Sequence, residues 1–178
     1  MRGLFLTLFF STFFAVNAQV DAYQIDIINY LNINGTKQQY NDAYDNMFDV
    51  LKKQVVKKEI PEAYWKDFTT KGKDKSLDEL VSFLAFAYRK HFTHEEIKEM
   101  TAFYKTDAAQ KMLSHSPNLT EDDNKIISDY FDSDIAKKIR SKEKELSIDV
   151  ADISSEWSRD LFAQKMSILV KDGYTKED

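Results

Sequence analysis

His91 and His94 stand three residues apart and are followed by Glu95 and Glu96. Imidazoles beside carboxylates are what metal centres and acid–base catalysts draw on. A zinc-protease helix requires His-Glu-x-x-His on one face, and here "HEEIK" ends in Lys98. Thr93 has the residue type and position of a helix cap, which assigns the two histidines to different elements. His91, next to a helix C-terminus, is favoured there by the dipole when protonated. His91, His94 and Glu95 are therefore the metal candidates that the sequence offers, and they are outweighed by their structural explanation. The acidic clusters "EDD" at 121–123 and "DSD" at 132–134 lack the calcium-loop pattern and sit at expected helix starts, where acids are stabilised. No Gly-x-Ser-x-Gly elbow supports a serine nucleophile, and the chain has no Cys for thiol chemistry. No catalytic residue, metal or other cofactor is expected, and the reading leans away from an enzyme.

A second pattern is more specific. The phrase "FYKTDAAQKM" at 103–112 returns as "YFDSDIAKKI" at 130–139, a shift of 27. Across 93–119 and 120–146, seven positions are identical, which marks one supersecondary unit used twice. Thr93 and Thr120 begin each copy as caps. Phe103 and Tyr104, or Tyr130 and Phe131, should be buried. Thr106-Asp107, or Ser133-Asp134, should mark a bend with a new N-cap and first turn. Ala109 and Ala136 allow close approach, and Lys111 and Lys138 follow. These residues are read as structural, because tandem duplication within a small domain suits a helix–bend–helix unit better than a catalytic site.

The elements that carry these residues are all expected to be helical. Two Pro and four Gly punctuate the chain, and alternating strand-type runs are absent. A first helix spans about Tyr23–Ile33 and ends at "NGT", where Gly35 suits the left-handed conformation and Thr36 with Gln39 suits a capping box. The next helix carries Tyr40, Tyr44, Met47, Leu51 and Val55 on one stripe. Pro61 leads a short aromatic segment with Tyr64, Trp65 and Phe68, and "TTKGKDK" reads as a loop. Ser76 and Glu79 suggest another capping box, opening a helix with Leu77, Leu80, Val81, Leu84, Ala87 and Tyr88 inward. Leu146, Val150, Ile153, Trp157, Leu161 and Ile168 trace a long terminal helix. The glycosylation-type sequons at 34–36 and 118–120 read as helix terminators and caps.

Residues 1–18 have the pattern of a cleavable signal peptide: Arg2, an apolar run over Leu4–Val16, and Val16-Asn17-Ala18 before a cut at Gln19. The run is shorter than the roughly 20 residues that a spanning helix needs. A single helical domain is expected over 19–178, exported to the periplasm or the extracellular space, with no membrane anchor left after cleavage. Its net charge, −5 for the whole chain, argues against nucleic acid as a partner. Without Cys, burial rather than disulfides must supply stability.

"YRKHFTHEEIKEMTAFYKTDAAQKMLSHSPNL", with "INYLNINGTKQQYNDAYDNMFDVL" upstream, resembles the bacterial family known as domain of unknown function 2059 over about residues 25–120. The chain departs from that signature with Thr106-Asp107 in place of Ser-Pro and Ala109 in place of Gly. Losing the Pro removes the strongest reason for a sharp break there. The resemblance implies export and a helical fold, and it brings no activity and no catalytic residue.

The fold expected is all-α: a bundle of about six to seven helices with a tandem helix–bend–helix repeat and a long C-terminal helix. The function expected is that of an envelope or secreted interaction module, docking an envelope protein or a second copy of itself. A carrier of a lipophilic small molecule ranks second, on the strength of the many aromatics, and a metal-dependent hydrolase ranks a distant third.

Overall fold

Eight helical segments occupy the described residues, 21–54, 56 and 58–175 of a computed structural model. The expected signal peptide and Val55 of the second helix's stripe lie outside them. The helices are α1 (Ala22–Ile33), α2 (Thr36–Gln54), α3 (Glu62–Thr70), α4 (Lys73–His91), α5 (His94–Tyr104), α6 (Asp107–Leu113), α7 (Glu121–Asp132) and α8 (Asp134–Lys171). Only Ser133 separates α7 from α8, so the two form one sharply bent helix and the count becomes seven. The all-α expectation and the long terminal helix both hold. Outside the helices, one isolated bridge pairs Val56 with Thr175.

Local chemistry explains most boundaries. Asp21 caps α1 by accepting from Gln24 N–H at 2.9 Å, and Arg89 grips the same carboxylate at 2.7 and 2.8 Å. Gly35, at φ +90°, turns the chain between α1 and α2. The cap expected of Thr36 belongs to Asn34 instead: Thr36 is already helical, and its N–H donates to Asn34 Oδ1 at 3.0 Å. The box expected at Ser76 is also displaced. Gly72, left-handed at φ +78°, lets α4 begin at Lys73, so "TTKGKDK" is mostly helix and Ser76 lies inside it. Its Oγ instead accepts from Trp157 Nε1 at 3.0 Å.

Two hydrophobic clusters share α8. The first joins α1, α4 and α5 through Ile27, Leu31, Leu80, Leu84, Ile97 and Met100, with Ile135 from α8. The second joins α2 and α3 to the end of α8 through Tyr44, Phe48, Leu51, Phe68, Leu161 and Leu169. Trp157 packs against both, and α8 runs antiparallel along α4 to reach them. Ile168, expected inside, is 39% exposed. The buried stripe continues as Leu161, Lys165 and Leu169, one residue every four.

The repeat unit is realised twice with the same hydrogen bonds. Thr93 and Thr120 both form full capping boxes, with Glu96 and Asp123 respectively. Thr106 Oγ1 accepts from Ala109 N–H at 3.2 Å and donates to Phe103 C=O at 2.7 Å. Ser133 Oγ accepts from Ala136 N–H at 3.3 Å and donates to Tyr130 C=O at 2.6 Å. The backbone is extended at both Thr106 and Ser133, so the chain breaks between α5 and α6 and bends between α7 and α8 even without a Pro at either place. Ala109 and Ala136 are both buried, and Asp107 and Asp134 open α6 and α8.

The copies dock on each other reciprocally. Phe103 stacks on Tyr130, its own counterpart, with centroids 3.7 Å apart and planes 4° from parallel. Lys111 pairs with Asp123 at 2.8 Å, and Lys138 pairs with Glu96, the counterpart of Asp123. Residue i of one copy thus meets j of the other, and j meets i, which is the contact pattern of a two-fold interface. Tyr104 is half-buried against this stack, whereas Phe131 is 42% exposed, contrary to the burial expected of it. Lys111 and Thr120 together hold the Asp123 carboxyl at about 2. Thr93→Ala and Thr120→Ala should each lower stability by about 1 kcal/mol in urea unfolding, since each removes a side-chain cap.

Candidate functional site

The metal candidates of the sequence do not converge. His91 ends α4, and its Nε2 lies 2.6 Å from Asp149 Oδ2 on α8, with Glu145 3.7 Å from Nδ1. His94 opens α5, stacks on Tyr23 and places Nε2 2.6 Å from Asp26 on α1. Glu95 turns instead to Lys98 at 2.9 Å. Each imidazole thus ties the α4–α5 junction to a different neighbour, one to α8 and one to α1. The third histidine, His115, takes a left-handed φ of 51° after α6. There Ser116 N–H reaches Lys111 C=O and His115 N–H reaches Met112 C=O, the two bonds of a Schellman terminus. Among the described residues, no group of three or more His, Asp or Glu is placed to hold one ion.

A different surface stands out. Along the antiparallel contact of α4 and α8 runs an open groove of about 610 Å³. Ser76, Glu79, Phe83 and Phe86 face it from α4, one side of that helix by their spacing. Ile153, Trp157 and Leu161 form its apolar floor on α8, beside Glu156, Asp160 and Gln164. Phe83 and Phe86 are 58% and 59% exposed, although one helical turn separates them and each could have been polar at no cost to the core. The inward stripe read from the sequence leaves out both phenylalanines. Their spacing of three on the opposite face was the available signal.

The groove continues into a hollow of about 440 Å³ between α3, the start of α4 and the end of α8, sharing Ser76, Glu79, Leu161 and Gln164. Its floor holds Lys165, which is buried and which sequence reasoning did not single out. The ammonium donates to Phe68 C=O at 2.7 Å and Lys71 C=O at 3.2 Å, at the C-terminal end of α3. It also lies 5.2 and 5.0 Å from the ring centroids of Phe48 and Phe68. Burial pushes its pKa down, against the opposing pull of Asp67. Terminal carbonyls and ring faces are fitting partners for a cation, so Lys165 works as the cap of α3.

Residues 78–130 match the model of a family described as an uncharacterized protein conserved in bacteria (DUF2059). The match bears out the resemblance carried by the first repeat copy and extends through α7 to Tyr130. The upstream part of that resemblance, before Asp78, lies outside the matched stretch. No curated protein and no solved structure matches the chain.

Proposed function

We propose that this chain is an exported, non-enzymatic interaction module that docks another protein of the cell envelope on the α4–α8 groove. The observation carrying this reading is the pair Phe83 and Phe86, both more than half exposed above an apolar floor. Aromatic side chains are enriched where partners bury them, and large exposed apolar surface on a small protein marks such places. Separation of His91, His94 and Glu95 into unrelated ion pairs weighs against hydrolysis at that junction. A lipophilic carrier fits less well. Small-molecule sites bury about 70–90% of their ligand, and this groove is open along its side.

A photo-crosslinking amino acid at position 83, in the cell that makes the protein, tests the reading. One discrete protein adduct should form there and none at exposed position 143, and the recovered chain should begin at Gln19. Absence of an adduct at 83, or equal adducts at both positions, would reject the docking surface. A chain retained in the cytoplasm would reject the address.

A further inference from the structure

We infer that the occupant of the α4–α8 groove is an amphipathic helix carrying Lys or Arg beside its apolar face. This inference rests on the docking reading above and adds the chemistry of the partner. Three carboxylates, Glu79, Glu156 and Asp160, line the groove together with its apolar floor, and no cation lines it. The adjoining hollow is lined by Lys71, Lys75 and Lys165: Lys75 lies 3.7 Å from Glu79 and is highly exposed, and the Lys165 ammonium is already held by the carbonyls of Phe68 and Lys71. Glu156 and Asp160 form no ion pair among the described residues, so their charge is uncompensated at the rim. An apolar floor with an uncompensated acidic edge selects an apolar segment with positive flanks and repels anionic ones.

Geometry supplies the secondary structure of the partner. Ser76 to Phe86 on α4 and Ile153 to Gln164 on α8 each extend about 15 Å at the helical rise. A helix docking through positions i, i+4 and i+7 presents anchors over about 10 Å, which this valley accommodates. A helix laid between two antiparallel helices also satisfies its own backbone hydrogen bonds. An extended peptide would need a sheet edge to complete, and the element order of the described residues contains none.

Fluorescence anisotropy with two synthetic helices tests this, one built of Leu and Lys and the other with Glu replacing every Lys. The full mature chain should bind the Lys helix at least about tenfold more tightly than the Glu helix. Phe83→Ser/Phe86→Ser and Glu156→Lys/Asp160→Lys should each weaken that binding by a similar factor. Asp132→Lys/Glu143→Lys makes the same change of net charge at exposed positions away from the groove, and should leave binding nearly unaltered. All four groove residues are solvent-facing, so the variants should keep their helical circular dichroism. Equal affinity for the two helices, or equal loss in the remote control, overturns the inference. So does a homodimer in sedimentation that Phe83→Ser/Phe86→Ser abolishes, because a second copy would then fill the groove. If neither helix binds while position 83 still crosslinks in cells, the partner's chemistry is wrong and the docking surface stands. If crosslinking fails as well, both fall.

Discussion

Phe103→Ala should cost about 3–5 kcal/mol of stability, whereas Phe131→Ala should cost less than about 1 kcal/mol. The two residues belong to the same aromatic phrase in the two copies of the repeat, so sequence alone gives them similar weight. Their surroundings separate them. Phe103 is buried, stacks face to face on Tyr130, and meets Tyr104 edge-on with centroids 5.0 Å apart. Phe131 touches the same cluster from outside and keeps much of its surface in water. The cost of Phe103→Ala includes lost transfer energy and a cavity at the junction where the copies meet. That cavity cannot collapse easily, because the Lys111–Asp123 and Lys138–Glu96 pairs hold the copies on either side of it. Urea denaturation of both variants measures the difference. A Phe103–Tyr130 double-mutant cycle should give a coupling of about 0.5–1.5 kcal/mol, the usual range for an aromatic pair. Equal costs for Phe103→Ala and Phe131→Ala would show that the reciprocal stack does not hold the copies together.

The same pair shows how far the sequence could be read. Thr93, Thr106, Thr120 and Ser133 were legible because a cap is a local event: the hydroxyl meets an N–H three residues on, and no distant partner is needed. Ser76 and Thr36 misled for the complementary reason. Their cap patterns are present in sequence, but Gly72 and Asn34 supply starts a few residues earlier, and Ser76 is then taken by Trp157 from a helix 81 positions away. A shift of 27 identifies the copies without stating that they face each other. Only a docked pair makes Phe103 meet Tyr130 while Phe131 points out. Lys165 was illegible because a Lys on an apolar stripe reads as solvated, and the carbonyls that receive it end a helix almost a hundred residues earlier. Phe83 and Phe86 fell outside the core stripe, and periodicity alone does not distinguish a solvent-facing Phe from one under a second layer.

Above pH 10 the protein should unfold cooperatively, with phenolate absorbance and loss of helical circular dichroism rising together. Burial pushes the phenols of Tyr44 and Tyr88 up to about 12, and it raises those of Tyr30 and Tyr130 as well. A raised acid pKa in the folded state means that the fold holds a proton which the unfolded chain gives up near pH 10. The contribution is fully present below pH 10 and is lost as pH climbs toward the folded values. Each tyrosine then costs about 1.4 kcal/mol per pH unit, so Tyr44 and Tyr88 together remove about 5 kcal/mol by pH 12. That is comparable to the total stability of many small domains, about 5–15 kcal/mol. Lys165 acts in the opposite direction. Its lowered pKa makes the buried ammonium a penalty that eases as pH rises toward 10.5, but one lysine faces four tyrosines. Tyr44→Phe isolates the effect. Its buried hydroxyl has no hydrogen-bond partner among the described residues, so the substitution should be neutral or slightly stabilising at pH 7. At high pH it should move the unfolding midpoint upward by removing one of the ionisations. A gradual rise in phenolate absorbance through pH 10, with the helix signal intact, would mean that these phenols ionise inside the fold and that their burial does not hold them neutral.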